Sequence, residues 1–397
     1  MTMQIKVLPE DFGVQEVLCI NPGKEEASFR VYLLEKTGMN SSDAVRAAAE
    51  KTGVPAGCIR WAGRKDRQAV TVQHLSVPSR YDLSCSGEGF SVRFAGYSTG
   101  PIEPSVLKGN RFSVLLRDMA AGEAERGETR LEEISRIGFL NYFDDQRFGN
   151  VGEKGEFFAE MLLKRRFSLA LRKYFSFCHP DAPREVRRRK MLLAERWGRW
   201  EEMVPLCPEP RLRAMLALLR ERGEGAERAA LKLVPGEEMG LFFSAYQSFL
   251  WNETMSRFMS GKEGEFFRID VKTGPLVQFR RLPSLLLSRL SKESLPTVGP
   301  GMPPLAADVE PVLSRLLYER GVRLSKFRLK EVEQAYFSSF PRACIALPGD
   351  MEWKREEDSL FPGKTCLRVQ FFLPRGSYAT MLIKSMEGSA PGSVGIP

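Results

Sequence analysis

The chain has 397 residues, 43% hydrophobic and 27% charged, with 59 lysines and arginines against 50 acids and a formal net charge of +9. That length exceeds what one hydrophobic core usually serves, so two domains are expected, and the positive balance favours a polyanionic partner. No run approaches the ~18 consecutive apolar residues of a membrane span, and residues 1–6 lack the apolar stretch of a signal peptide, so no membrane partner is expected.

Residues 1–118 read mostly as strands, over 13–20, 28–35, 58–62, 70–77, 90–96 and 112–117, from their β-branched and apolar content between turn signals. One helix interrupts them, with Ser41 or Ser42 as its N-cap, Asp43 in the first turn, an alanine-rich body and Gly53 as its stop. A second helix is expected over 124–137, ending at Gly138. From 151 the composition shifts to arginine-, leucine- and alanine-rich helical patterns, over 156–175, 184–200, 211–221 and 237–259. The aromatic residues of the last recur at three- and four-residue steps, which reads as a buried stripe. Residues 295–304 carry the proline and glycine of a connecting loop. Strand character returns at 343–347, 365–373 and 377–384, and the Gly- and Pro-rich tail from 388 is expected to be disordered.

Seven cysteines are dispersed without a Cys-x-x-Cys pair, and the histidines number two, His74 and His179. That pattern suits reduced thiols in a cytoplasm and supplies no zinc-ligand cluster, so no metal is expected. A catalytic role is expected of neither histidine.

Asp66 stands between two strand patterns in Trp61-Ala-Gly-Arg-Lys-Asp-Arg-Gln68, with Arg64, Lys65 and Arg67 around it. Surrounding positive charge favours the ionised carboxylate, which suits an acceptor or nucleophile and not a proton donor. Taken alone, the loop is better explained as a solvated charged hairpin. Four further strings accompany it: Pro9-Glu-Asp-Phe-Gly-Val-Gln-Glu-Val17 with Lys6 ahead, Leu107-Lys-Gly-Asn-Arg-Phe112, Asn141-Tyr-Phe-Asp-Asp-Gln-Arg-Phe-Gly149, and Leu373-Pro-Arg-Gly-Ser-Tyr-Ala-Thr380.

Together, and in this order, the five strings resemble the TruD family of tRNA pseudouridine synthases, across most of the chain and least well over 151–335. The resemblance implies an α+β fold: a pseudouridine-synthase-like mixed, largely antiparallel sheet core formed by residues 1–150 and 336–397. A helix-rich α/β domain, 151–335, is inserted into it. It implies isomerisation of uridine to pseudouridine in tRNA, at uridine 13, without a cofactor, by a monomeric protein in the cytoplasm. Asp66 falls at the place of the catalytic aspartate and Lys6 at that of its basic partner. Phe143 falls where an aromatic ring stacks on the target base, and Asn141, Gln146 and Arg147 belong to the same active-site loop. Asp144 stands where the family usually has glycine.

The reaction breaks the bond from ribose C1′ to uracil N1, turns the base and rejoins it through C5, so no group enters or leaves. A carboxylate could add to C6, abstract a C2′ proton to give a glycal, or trap C1′, and the sequence does not choose among these. Arg64, Lys65 and Arg67 are expected to contact phosphates or structure. Lys108 and Arg111 flank a Gly-Asn turn that has a structural explanation as well as a phosphate-binding one. Arg165, Arg166 and Arg188 belong to a dense basic stretch over 164–190 and are expected to meet RNA. A second stretch, 315–330, is interrupted by acids. The alternative is a non-catalytic RNA-binding protein or tRNA folding aid that uses the same basic surfaces.

Overall fold

The computed structural model describes residues 3–63, 65–152, 155–178, 182–223, 225–329, 332 and 337–387. Of the residues singled out above, Arg64, His179, Lys330 and the tail from 388 lie outside the described residues. The chain divides into two compact units, Met1–Phe139 with Ile345–Gly392, and Leu140–Cys344 with Ser393–Pro397.

The first unit is built on a nine-stranded sheet. Seven strands come from the N-terminal segment: β1 (Phe12–Leu18), β2 (Phe29–Lys36), β3 (Arg60–Trp61), β4 (Val70–Pro78), β5 (Cys85–Gly87), β6 (Phe90–Ser98) and β7 (Leu107–Met119). Gly349–Glu357 and Thr365–Pro374 complete it, in the order Gly349–Glu357, Thr365–Pro374, β7, β1, β4, β2, β6, β5. β1 runs parallel to the first half of β4, and β3 lies antiparallel against its second half. The 63–69 loop therefore begins and ends on β4's neighbourhood, where two pairing partners meet.

Helix α1 (Ser41–Thr52) presents Ala44, Val45, Ala48 and Ala49, a helical stripe, to Tyr32, Leu34, Leu75 and Val77 of the sheet. It ends at Gly53 in the left-handed conformation, φ 71°. Helix α2 (Ala121–Ile137) ends at Gly138, also left-handed, where an added Cβ would lie 2.5 Å from the Ala346 carbonyl oxygen. The expected strand over 377–384 is instead a helix, Ala379–Glu387, whose Ser385 carbonyl accepts from Arg130 Nε of α2 at 3.1 Å. A short apolar run has no period of its own to decide between the two states. Here the buried face Met381, Leu382, Ser385, Met386 follows helical spacing.

The second unit is mainly helical. The expected helix over 156–175 is split into α3 (Phe158–Leu163) and α4 (Phe167–Ser176) by Arg165, which sits in the left-handed region at φ 57°. There the Arg166 N–H closes back on the Met161 carbonyl, the pattern that ends helices. Helix α5 (Arg184–Glu195) packs on α4. A 25-residue helix, Gly236–Ser260, buries Phe243, Tyr246, Leu250 and Trp251. The hairpin Glu265–Ile269 with Leu276–Arg281 was not anticipated. Residues 140–150 and 337–344, expected in the core, fall in this unit, where Asn141 and Tyr142 bond to Arg342 and Phe143 to Asn252. Among the described residues no helix is long and apolar enough to cross a membrane.

Candidate active site

The segment ahead of β1 is fastened to β7 at two points. Gln4 exchanges main-chain hydrogen bonds with Arg117 at 3.0 and 2.9 Å. Asp11 receives Arg117 Nε on both carboxylate oxygens, at 3.0 and 2.9 Å, and Nη2 on one of them at 2.8 Å. Arg117 Nη1 also reaches Asp358 at 2.9 Å, so one buried guanidinium is shared by two carboxylates. The Asp of the Pro-Glu-Asp-Phe string is thus a clamp.

Between the two anchors lies Lys6, in the left-handed conformation at φ 57°. That conformation costs a residue with a Cβ roughly 1–2 kcal/mol, which the clamp on either side sustains. The strained turn delivers the Lys6 ammonium to Asp66 Oδ2, 4.4 Å from the Phe12 ring centroid. Asp66 Oδ1 accepts from the Gln68 N–H at 3.1 Å, a turn that orients the carboxylate. The two side chains keep 15% and 23% of their surface exposed, so the pair is sheltered yet reachable.

A second lysine serves the same loop from below. Lys36, 1% exposed at the end of β2, donates to the main-chain oxygens of Asp66 and Met39, each at 2.8 Å. Burial holds its pKa below the ordinary lysine value, against the attraction of Asp66 and with Lys65 adding to the depression. Sequence reasoning missed Lys36. A lysine closing a strand before Thr-Gly reads as surface, and nothing local shows that the Asp66 loop covers it.

The Lys65 ammonium is engaged by residues of the sheet. Its ammonium lies 2.8 Å from Glu16 Oε1 on β1 and 3.0 Å from Asn110 Oδ1 on β7, residues that face each other across the two strands. The ion pair is buried, at 6% and 0% side-chain exposure. Glu16 Oε2 also accepts the His74 N–H at 2.9 Å, with the His74 ring nitrogen 3.2 Å away. Burial works to raise the Glu16 carboxyl, but bonding from His74 and the charge of Lys65 outweigh it, and its pKa falls below the ordinary value. The Lys65 N–H donates to Ser41 Oγ at 3.0 Å, which donates to Gln73 Oε1 at 2.6 Å. Of the two expectations for Lys65, phosphate or structure, these contacts are structural. Arg67 is exposed and reaches the Gly38 carbonyl at 3.3 Å.

The 141–148 string forms its own constellation in the second unit. Phe143 exchanges main-chain hydrogen bonds with the Asn252 side chain, at 2.9 and 2.8 Å. Its ring, 1% exposed, meets Trp251 edge-on at 5.8 Å and lies 3.7 Å from the guanidinium carbon of Arg342. Arg342, also missed, donates to the Asn141 and Tyr142 carbonyls and to Asn141 Oδ1, at 2.6, 3.1 and 3.0 Å. Asn141 is buried in these bonds and donates onward to Ala343. Arg147 lies 5.6 Å from the Phe143 ring and reaches Ser244, while Gln146 is exposed. Asp144 sits at φ −93°, ψ 172°, ordinary extended backbone in which aspartate fits where a glycine would.

Of the remaining cations, Lys108 lies 5.8 Å from the Phe372 ring and Arg111 pairs with Asp350 at 2.8 Å on the exposed surface. Between them a Cβ on Gly109 would fall 2.2 Å from the Leu373 carbonyl oxygen, so the neighbouring strand demands glycine there. Arg165, Arg166 and Arg188 are exposed. Among the described residues no group of three His, Cys, Asp or Glu side chains could hold a metal ion.

The family model described as tRNA pseudouridine synthase D (TruD) matches residues 1–386. Proteins named tRNA pseudouridine synthase D from Leptospira interrogans and from Aquifex aeolicus are each 28% identical to this chain over 395 residues. The alignments cover 97% of this chain with 96% and 98% of theirs. A Methanosarcina mazei crystal structure described as a tRNA pseudouridine synthase D superposes with a TM-score of 0.72 at 22% identity, covering 97% of this chain and 93% of that one. At that identity the superposition speaks for the α+β fold.

Proposed function

The chain belongs to the tRNA pseudouridine synthase D family, and from that premise we propose that it isomerises uridine 13 of tRNA with the ionised Asp66 carboxylate as the reacting group. The single observation that carries this reading is the Lys6–Asp66 pair. A sheltered carboxylate is held against an ammonium by a strained, clamped segment. The ammonium makes a desolvated anion tolerable, and the Gln68 N–H aims it.

Glycosidic cleavage and rejoining conserve every atom of the substrate, so this carboxylate needs no cofactor beside it. It can add to C6 of the uracil, take a C2′ proton, or trap C1′, and each route uses the same ionised oxygen. The target base must first leave its stack, at a cost of a few kcal/mol that an aromatic face partly restores. Phe143 is the ring for that role, with Arg342 against it. Its burial means that it meets a base only after RNA has docked. Asn141 and Arg342 hold the loop that carries it.

The test is carbodiimide mapping of pseudouridine in unmodified tRNA treated with the purified protein and with Asp66→Asn. Modification at position 13 by the native protein, lost in a variant whose tRNA affinity stays within about two-fold, is the expected result. Normal turnover by Asp66→Asn would remove Asp66 from the chemistry, and no pseudouridine with the native protein would leave the binding-module reading.

A further inference from the structure

Several cations of the second unit are matched by acids. Arg211 pairs with Glu238, Arg257 with Glu319, Arg289 with Asp308, Arg315 with Glu319 and Arg320 with Glu160. In the basic stretch over 315–330 this pairs Arg315 and Arg320. One place gathers cations around a concave surface. Between α4, α5 and the 151–152 turn lies a cavity of about 840 Å³ into which Arg172, Lys173, Arg187, Lys190 and Lys272 converge, with Glu156 as the acid in its wall among the described residues.

Glu156 is 3.6 Å from Lys173 and half exposed, so it offsets one charge of five. Arg172 and Lys272 bond to main-chain carbonyls, of Ala194 and Phe148. Arg187 and Lys190 make no side-chain hydrogen bond or ion pair among the described residues. Burial lowers the Lys190 pKa, against the more distant Glu209 and with Arg189 adding to the effect, and burial likewise lowers that of Lys173. A half-buried ammonium without an ion-pair partner, as at Lys190, is a standing cost to the fold. The same wall carries Phe177 and the largely exposed Met191, apolar surfaces beside the charges.

We propose that this cavity seats a single-stranded stretch of the tRNA away from the reacting uridine, with its phosphates on Arg187, Lys190, Lys173 and Arg172 and a base against Phe177 and Met191. The volume lies within the range of pockets that enclose a ligand, about 300–1,000 Å³. A cationic groove with an apolar stacking wall is the chemistry that holds single strands without reading their sequence. A phosphate would supply the counter-ion that the fold leaves out. The inference rests on the tRNA substrate of the family and not on the assignment of Asp66.

The test compares the double variant Arg187→Ala/Lys190→Ala with a charge-matched control on an exposed helix face, Arg220→Ala/Arg222→Ala. tRNA affinity is measured across a salt series, and kcat and KM are measured on unmodified tRNA. Expected for the cavity variant are a Kd and KM raised roughly ten-fold, a kcat within about two-fold, and a salt slope shallower by about 1.4–1.8 for two lost phosphate contacts. Lys190→Arg should restore most of the affinity. A cavity variant that binds like the native protein, or a control that loses as much, would overturn the proposal. A native protein that binds tRNA with this salt slope yet makes no pseudouridine would sink the proposed function and leave this site standing.

Discussion

Lys36 and Asp66 are joined by a hydrogen bond through the main chain: the Lys36 ammonium donates to the Asp66 carbonyl oxygen at 2.8 Å, while Lys6 takes the carboxylate. Two lysines thus divide the work on one residue, one fixing where the loop lies and the other compensating its charge. Lys36 also spans to Met39 at 2.8 Å, so its loss releases two separate loops at once.

Lys36→Met should therefore lower kcat about ten-fold with KM little changed, since the loop no longer presents Asp66 in one place. Each carbonyl left without a donor costs roughly 1–3 kcal/mol, so the melting temperature should fall as well. Steady-state kinetics with thermal unfolding checks both, and native values in the two measurements would free the loop from Lys36.

Lys65→Met leaves Glu16 as a buried, uncompensated anion, a loss of about 3–5 kcal/mol. The expected result is a sharply lowered unfolding midpoint in urea. tRNA affinity measured well below that midpoint should keep its native salt dependence, because the ammonium is spent on Glu16 and Asn110. A shallower salt slope with native stability would return Lys65 to the phosphates.

The same network sets a pH dependence. The Glu16 carboxyl titrates below its ordinary value of 4.5 in the folded chain, so the folded state binds fewer protons there than the unfolded one. The stabilisation is complete above about pH 4.5 and is lost as pH falls through the lowered folded value. In Glu16→Gln this part of the acid dependence should vanish, and the stability curve below pH 4.5 should flatten relative to the native protein. Chemical denaturation between pH 3 and 7 measures it, and parallel curves for the two proteins would contradict the assignment (pH range about the carboxylate region).

Phe143 calls for two substitutions read together. Its ring is buried against Trp251 and Arg342, so Phe143→Ala should cost about 3–5 kcal/mol of stability on top of any catalytic loss. Phe143→Leu keeps most of the apolar volume and removes the aromatic face. A near-native melting temperature with kcat reduced ten-fold or more (about 1.4 kcal/mol) is expected of a stacking ring. Native kcat in Phe143→Leu would leave the ring with a packing role alone.

Much of the first unit is legible along the chain because its signals are local. Alternating β-branched runs place β1, β2, β4 and β6, and Gly53 and Gly138 mark helix ends where left-handed backbone excludes other residues. Signals fail where the choice between states is settled by burial. The segment 377–384 is apolar enough for either period, and contact with α2 makes it a helix. Arg165 breaks a helix that its neighbours' propensity would have continued.

The site divides in the same way. Sequence alone marked Asp66, Lys6 and Phe143, since their strings stand in a fixed order that survives whatever the intervening chain does. It could not say which cation faces which anion, because that is set by residues tens to hundreds of positions apart. Lys65 beside Asp66 in the chain serves Glu16, Lys36 thirty residues earlier carries the Asp66 backbone, and Arg342 backs a phenyl ring two hundred residues before it. Charge pairing in a folded protein follows distance in space and the removal of water, and neither is written into neighbouring letters.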